Sequence, residues 1–210
     1  MKALEVYDLA LHSPNGLFTT RELAQQTQSA ISGISKILGR LKNLGKIMPL
    51  ERGKWVVPSK AGRLTLPEFL AGVPTYITAH SALFSHGMIE QIPQGIYAAT
   101  TGRSATHQTD FGSIYLHHIT QPLFTGWETD DDCLGAKMAT PEKALVDYFY
   151  FQLTGNLSFG KLPELEIPRG FSWKKARQFA DQIANKTWRS HVHNQLTALQ
   201  SLSELALQKV

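Results

Sequence analysis

Short polar and basic side chains recur at helical spacing between residues 31 and 43, and these residue types bind base edges and phosphates in a DNA groove. In the first two turns of such a helix they approach the base edges, whereas basic side chains further along reach phosphates. The first role suits Ser32, Gly33, Ser35 and Lys36, and the second suits Arg40, Lys42, Arg52 and Lys54. The pattern predicts a DNA-binding surface, although a solvated helix face carries similar charges.

The net charge is unevenly divided along the chain. Residues 1–62 contain nine lysines and arginines and four acids, a balance of +5, whereas the whole chain carries +4. Six of the basic residues lie between Lys36 and Lys54. If all six met phosphates, a plot of log binding constant against log salt concentration would have a slope near roughly −5.

Clustered carboxylates are a second candidate for chemistry. Three aspartates at residues 130–132 and Lys137 are the residue types with which a nuclease holds a metal ion and activates water. Their spacing is poor for that task, because consecutive aspartates are more typical of a solvated loop. We therefore predict no catalytic site and no enzyme activity.

Histidine and cysteine give little support for a metal site. His117 with His118, and His191 with His193, lack both the helical spacing of four and the cysteine partners of a common zinc site. We expect these histidines to be exposed. The single cysteine, Cys133, excludes an intramolecular disulfide. No metal and no cofactor is predicted.

Two further polar segments each allow a functional and a purely structural interpretation. Thr101, Gly102, Arg103 and Ser104 follow a predicted strand and could cradle an anion through backbone amides and the guanidinium, or form a plain β-turn. Aromatic and basic residues alternate along residues 173–189. They could extend a DNA footprint, but tryptophans at these spacings are more often core anchors with lysines in solvent.

The elements that would position the polar face begin with a strong helix-start signal. Thr19 can cap the first turn of a helix while Glu22 reaches back to the backbone. Phe18 and Leu23 stand at the two positions of a hydrophobic staple. A short helix is therefore predicted to begin near Thr20, with a polar turn behind it.

A second helix follows this turn. Its apolar residues are spaced by three and four positions and are Ile31, Ile34, Ile37, Leu38, Leu41 and Leu44. Gly45 can end the helix in the left-handed conformation. The first helical residue stays open, because Ser29 is a better cap than Ala30.

A basic hairpin completes the arrangement. Residues 47–50 and 55–57 form two apolar runs around a polar turn that contains Arg52 and Gly53. A helix, a turn, a helix and a hairpin in this order are typical of a winged helix-turn-helix, in which the hairpin is the wing.

The amino-terminal eleven residues include two acids within an apolar pattern, which argues against a signal peptide. They are predicted to form the first helix of the winged domain, with Leu4, Tyr7 and Leu11 facing inward. No transmembrane candidate is present, and a cytoplasmic location is expected.

The α+β class and two domains are predicted: residues 1–62 as a winged helix-turn-helix and residues 63–210 as a mixed α/β domain with a helical tail. In the second domain we expect one helix near 79–86, and further helices from Pro141, which is capped by Thr140, and from Ser172. Strands are expected near residues 95–100, 113–119 and 134–138. Leu145, Phe149 and Leu153 would share one helix face.

Two later patches carry a family resemblance. They are Ser81-Ala82-Leu83, Gly87-Met88, Gln91-Ile92-Pro93, Ile96-Tyr97, Thr100 to Ser104 and Phe111-Gly112 in the first patch, and Ala139 to Asp147 (ATPEKALVD) in the second. Together with the winged domain, they resemble the AbiEi family of antitoxins and transcriptional regulators of type IV toxin–antitoxin and abortive-infection systems. The resemblance covers roughly residues 5–155.

This resemblance implies a winged domain that represses its own operon at inverted repeats and a second domain needed for antitoxicity. The implied functional partner is a nucleotidyltransferase-like toxin with which no stable complex forms. One winged unit covers only a few base pairs, so two copies on an inverted repeat are expected, as a homodimer or as cooperative neighbours. The alternatives are a stand-alone regulator whose second domain senses a ligand or dimerises, and a nuclease targeted by its winged domain.

Overall fold

The computed structural model describes residues 3–130, 133–154, 162 and 164–207. Its longer elements are, in chain order, α1 (Ala3–His12), β1 (Leu17–Thr19), α2 (Thr20–Gln26), α3 (Ile31–Asn43), β2 (Met48–Glu51), β3 (Lys54–Val56), α4 (Leu66–Ala71), β4 (Thr75–Ile77), α5 (Ala79–Ser85), β5 (Gly95–Thr100), β6 (Ala105–Thr109), β7 (Gly112–His118), β8 (Trp127–Asp130), β9 (Ala136–Ala139), α6 (Pro141–Leu153), α7 (Trp173–Asp181) and α8 (Lys186–Leu207). Helices and two sheets together confirm the α+β class.

Residues 3–57, here called the front unit, combine α1, α2 and α3 with a three-stranded antiparallel sheet of order β1-β3-β2. The predicted helix start is confirmed, because the Thr19 hydroxyl accepts the Glu22 amide at 3.1 Å and the Glu22 carboxylate accepts the Thr19 amide at 2.7 Å. Helix α3 begins after Ala30, which supplies no side-chain cap. Ser29 instead donates its hydroxyl to the Thr27 carbonyl.

The ends of the predicted apolar stripes are corrected. In α3, Ile34, Leu38 and Leu41 are buried, but Ile31 is 53% exposed and Leu44 is 69% exposed, because these two residues lie at the helix ends and extend past the core. In α1, Val6 and Ala10 are the buried pair. Leu4 is 76% exposed rather than inward, because it lies two positions from Val6 and therefore on the far side of the helix.

Residues 66–207, the second unit, contain a six-stranded sheet of order β6-β7-β5-β4-β9-β8. Strand β4 pairs antiparallel with β5 and parallel with β9, and β5 pairs parallel with β7. Every residue of β4 and β5 is buried, so both faces of the sheet centre are covered. Helix α4 contacts β4, β5 and β7, and α5 contacts β5.

Helix α6 is enclosed rather than one-sided. Ten consecutive residues, from Glu142 to Phe151, are buried, and the helix lies between α5 on one side and α7 and α8 on the other. Leu145, Phe149 and Leu153 share one face of this helix, as expected from their spacing of four, and the helical tail covers its other sides as well.

The front sheet belongs to two hydrophobic cores. Phe18 and Val57 pack with α1, α2 and α3 in the front core. Leu17, Leu50 and Val56 join the core of the second unit instead. Because neighbouring strand residues point to opposite faces, one face of this sheet is covered by the front helices and the other by the second unit.

Candidate nucleic-acid interface

The predicted polar face of α3 is exposed along its length. Ser32, Gly33, Ser35, Lys36 and Arg40 are all exposed, on the side opposite the buried stripe. An added Cβ at Gly33 would meet no atom within 4 Å. The part of the chain that the structure describes places no ion-pair partner at Lys36, Arg40, Lys42 or Arg52. These cations are available to an external anion.

The turn between α2 and α3 fixes how α3 is presented. The Ser29 amide donates to the Ala24 carbonyl at 2.9 Å, and the Thr27 hydroxyl donates to the Leu23 carbonyl at 2.6 Å. Gln28 between them adopts a φ of 50°, a left-handed conformation that sharpens the turn. The two helices are therefore held at a defined angle by the backbone and not by packing alone.

The hairpin β2–β3 is tied to α2. The Thr20 amide donates to the Gly53 carbonyl at 2.9 Å, and the Trp55 indole donates to the Thr20 hydroxyl at 2.9 Å. Gly53 turns with a φ of 80°, which favours glycine at this point of the hairpin. Arg52 stands exposed at the tip.

Lys54 is a correction to the predicted phosphate contacts. Its ammonium donates to the Leu70 carbonyl at 2.6 Å, pairs with Glu51 at 2.8 Å and lies 5.7 Å from the centre of the Phe69 ring. Lys54 shares a strand face with Val56, and this face turns toward the second unit. Lys54 is therefore occupied inside the protein.

Two exposed cations of the front unit, Arg21 and Lys46, were counted in its charge but were not assigned a DNA contact by name. Arg21 lies in the first turn of α2, and Lys46 lies just before β2 with its ammonium 6.0 Å from the Tyr7 ring. Neither falls on the second helix or in the hairpin turn, which were the elements searched for phosphate contacts. Their charge adds to the basic character of the front unit.

The segment Thr101 to Ser104 is used internally. The Gly102 amide donates to the Thr100 hydroxyl at 3.1 Å, and the Ser104 hydroxyl accepts the His118 amide at 2.9 Å. These bonds hold the connection between β5 and β6 against the end of β7 and favour the plain turn over an anion cradle. Arg103 is exposed.

His117 is buried, which corrects the expectation that it is exposed. It lies inside β7, with its ring 6.0 Å from the Tyr97 ring and 5.0 Å from the Phe151 ring. Burial, with a smaller contribution from the charge of His80, lowers the pKa of His117 to about 4. His118 is exposed as predicted.

The histidines and aspartates considered as metal or nuclease residues are not brought together among the described residues. His191 and His193 are half-buried, not exposed, because the second unit packs along α8. Asp131 and Asp132 lie outside the described residues, and Lys137 pairs with Glu68 at 2.5 Å. Within the described ranges, no three histidine, cysteine or acidic residues are grouped as metal ligands.

The second patch of the family resemblance forms a buried polar cluster. Thr140 caps α6 by accepting the Lys143 amide. Asp147 accepts the hydroxyls of Tyr76 and Thr78, both at 2.8 Å, and pairs with the ammonium of Lys143. Burial lowers the pKa of Lys143, and Asp147 opposes this change. The cluster joins α6 to β4, so we assign it a role in stabilising the fold.

A cleft of about 690 Å³ separates the front and second units. Its walls include Leu17, Glu22, Glu68, Phe69, Ile77 and Lys137. This size and mixture of apolar and polar walls are typical of small-molecule sites.

Comparison with known proteins gives no family. No family model matches the chain, and no curated protein matches it. Among solved structures it is similar to the solution structure of the antibiotic-resistance factor ANT(2'')-Ia, with a TM-score of 0.32 and 9% sequence identity, over 70% of this chain and 95% of that chain. A TM-score this low does not establish a shared fold. None of the described helices has the length and apolar character needed to cross a membrane.

Proposed function

We propose that this chain is a DNA-binding transcriptional regulator with a winged helix-turn-helix in its front unit. One observation carries the proposal: α3 buries one face in the front core and leaves the opposite, cationic face uncovered by the described residues. A positively charged helix face of this kind matches the width and the negative charge of the major groove.

In this proposal Ser32, Gly33, Ser35 and Lys36 approach base edges, and the basic residues further on bind phosphates. Arg40, Lys42 and Arg52 keep the phosphate role. Lys54 leaves that set because its ammonium is bound within the protein. With three cations, Arg40, Lys42 and Arg52, left to meet phosphates, the expected salt slope falls to roughly −3.

Specificity requires more than one copy. A single helix in the groove reads only a few base pairs, so we propose that two copies bind an inverted repeat, as a dimer or as cooperative neighbours. Footprinting on the selected DNA should show two protected half-sites about one helical turn apart. A single unrepeated half-site would contradict this part of the proposal.

The experiment that tests DNA binding starts with selection of bound duplexes from a random library, followed by fluorescence anisotropy on the enriched sequence. We expect the variant Lys36→Ala/Arg40→Ala to lose sequence-specific binding while its thermal unfolding is unchanged. The matched control is Lys174→Ala/Lys186→Ala, which removes two exposed charges from the helical tail. Equal losses in both variants would contradict a specific role of the α3 face, because either overall charge alone attracts DNA or the footprint extends to the helical tail.

We further propose, on the sequence resemblance alone, that the regulator is an AbiEi-type antitoxin. It would repress its own operon and counteract a nucleotidyltransferase-like toxin without a stable complex between the two proteins. A neighbouring reading frame of that type, and rescue of its toxicity by this chain, would support this. Absence of such a neighbour would leave a stand-alone regulator.

The cleft between the units favours that second candidate, a regulator that responds to a small molecule. A ligand there would contact α2 through Glu22 and α4 through Phe69 at the same time. A thermal-shift screen should then find compounds that stabilise the wild type but not Gln26→Trp, which fills the cleft from the exposed end of α2. If every compound that stabilises the wild type also stabilises Gln26→Trp, the cleft is not the ligand site and this candidate is wrong.

A further inference from the structure

The wing is too small to hold its own position. Strands β2 and β3 contain four and three residues, and a hairpin of this length is marginal in water without further packing. Strand β1 pairs with β3 as far as Lys54, and the Thr20 amide holds the Gly53 carbonyl, but Arg52 at the tip lies beyond these contacts with the front unit. The direction of the tip therefore depends on what it contacts.

One contact joins the wing to the end of a helix in the second unit. Leu70 lies in the last turn of α4, where carbonyl groups lack a partner within the helix. The Lys54 ammonium donates to this carbonyl at 2.6 Å, and a cation at a helix C-terminus is also favoured by the helix dipole. The same ammonium lies 5.7 Å from the Phe69 ring.

A second contact reaches the edge of the large sheet. Glu51 pairs with Lys54 at 2.8 Å through one oxygen and with His107 of β6 at 3.2 Å through the other. The side chains of Lys54 and His107 are 24% and 20% exposed, so water screens these contacts less than those of a surface pair. Two separate elements of the second unit, α4 and β6, thus contact the base of the wing tip.

Apolar burial acts in the same direction. Val56 is fully buried and Leu50 is 6% exposed, and both belong to the core of the second unit. Each strand of the hairpin is therefore fixed to that unit by one apolar side chain. The polar contacts at Glu51 and Lys54 add direction to this attachment.

We infer that the second unit is a brace that sets the position of the wing relative to α3. Lys54, Glu51 and His107 are positioning residues: they act on DNA recognition through Arg52 without touching DNA. This inference rests on the proposed DNA-binding function. It also gives the second unit a role in operator affinity that does not require a ligand or a toxin.

The test uses the full chain and two independent measurements. Lys54→Met keeps the apolar stem beside Phe69 and removes the ammonium, and His107→Leu removes the ring nitrogen that contacts Glu51 from β6. Arg52→Met is the matched control, because it removes an exposed cation from the same turn. Circular dichroism confirms that each variant is folded.

The first measurement needs no DNA. Backbone ¹⁵N relaxation should show lower order parameters at Arg52 and Gly53 in Lys54→Met and in His107→Leu, and no change in Arg52→Met. Unchanged order parameters in both brace variants would overturn the inference. This measurement decides the brace even if the wild type binds no DNA, in which case the proposed function fails separately.

The second measurement is operator affinity as a function of salt. We expect Lys54→Met and His107→Leu each to weaken binding threefold to tenfold, and their double variant to weaken it by less than the product, because both act through Glu51. Arg52→Met should lower the salt slope by about 0.9. If Lys54→Met lowers the slope while the wing stays rigid, Lys54 is a phosphate contact and the brace is wrong.

Discussion

Helices α3 and α6 each contain 13 residues, and each carries lysine, but water reaches them differently. Lys36 on α3 is exposed and has no ion-pair partner among the described residues. Lys143 on α6 is fully buried and pairs with Asp147. A solvated ammonium is free to exchange its water for a phosphate, whereas a buried ammonium must be neutralised inside the protein.

Under the proposed function, this difference separates residues that would bind DNA from residues that stabilise the fold. Substitutions on the polar face of α3 should weaken binding without lowering the free energy of unfolding. Substitutions in the cluster of α6 should do the reverse. Each prediction below tests one side of this division.

The largest effect is expected at Asp147. Asp147→Asn leaves Lys143 buried without a charged partner, and we expect the free energy of unfolding to fall by about 3–5 kcal/mol. Urea denaturation followed by circular dichroism measures the loss. Asp181→Asn, at a side chain that is 65% exposed, is the control and should cost less than about 1 kcal/mol. A small loss at Asp147 would mean that the cluster is hydrated.

His117 should make the protein sensitive to acid. Its pKa is about 4 in the folded state and its ordinary value is 6.5, so between these pH values the unfolded chain binds more protons. Stability is complete above pH 6.5 and should fall by about 3 kcal/mol as the pH decreases to 4. His117→Phe should remove that part of the pH dependence.

Urea midpoints at pH 7.5 and 4.5 measure this effect. The comparison variant is His12→Phe, whose side chain is 76% exposed in the wild type and whose replacement should leave the acid sensitivity in place. If His117→Phe unfolds in acid exactly as the wild type does, burial of His117 is not the source of the sensitivity.

Arg40 tests the binding side of the comparison. Arg40→Met should weaken operator binding about tenfold and lower the salt slope by about 0.9, because one phosphate contact is lost. Lys174→Met on α7 removes an equally exposed charge and should leave both quantities unchanged. Anisotropy titrations at four salt concentrations distinguish the two variants. An unchanged slope in Arg40→Met would remove Arg40 from the interface.

Gly33 gives the smallest and most specific effect. A methyl group fits there without contact, so Gly33→Ala should stabilise α3 by about 0.5–1 kcal/mol through helix propensity. We expect the same change to weaken operator binding severalfold, because the methyl group would stand between the helix and the base edges. Gly39→Ala, also in open space but one to two turns later, should stabilise without that loss. Equal affinities would show that Gly33 does not approach DNA.

Local signals predicted the front unit well. The capping box at Thr19 and the periodicity of α3 depend on residues close in sequence, and both helices appear where expected. Strand β1 was missed because three residues before a helix give no alternation of their own; pairing with β3 defines it. The role of Lys54 was missed for a related reason, since its partner Leu70 is 16 residues away in the chain.

The second unit was less predictable. The strands β5 and β7, the start of α6 at Pro141 and the start of α7 after Ser172 were predicted, because each has an apolar run or a cap of its own. Strands β4 and β8 are short, and β6 exposes every second residue at a sheet edge. The burial of His117 depends on Phe151, which arrives from α6 more than thirty residues later.

Both faces of the small front sheet are covered, one by the front helices and the other by the second unit. If the chain were cut after residue 62, the side chains of Leu17, Leu50 and Val56 would become exposed. The fragment would then carry an apolar patch that promotes aggregation. If the front unit were fused to a different second unit, that unit would need to supply apolar partners for these side chains and a hydrogen-bond acceptor for Lys54. The two units of this protein therefore cannot be exchanged as independent modules without replacing these contacts.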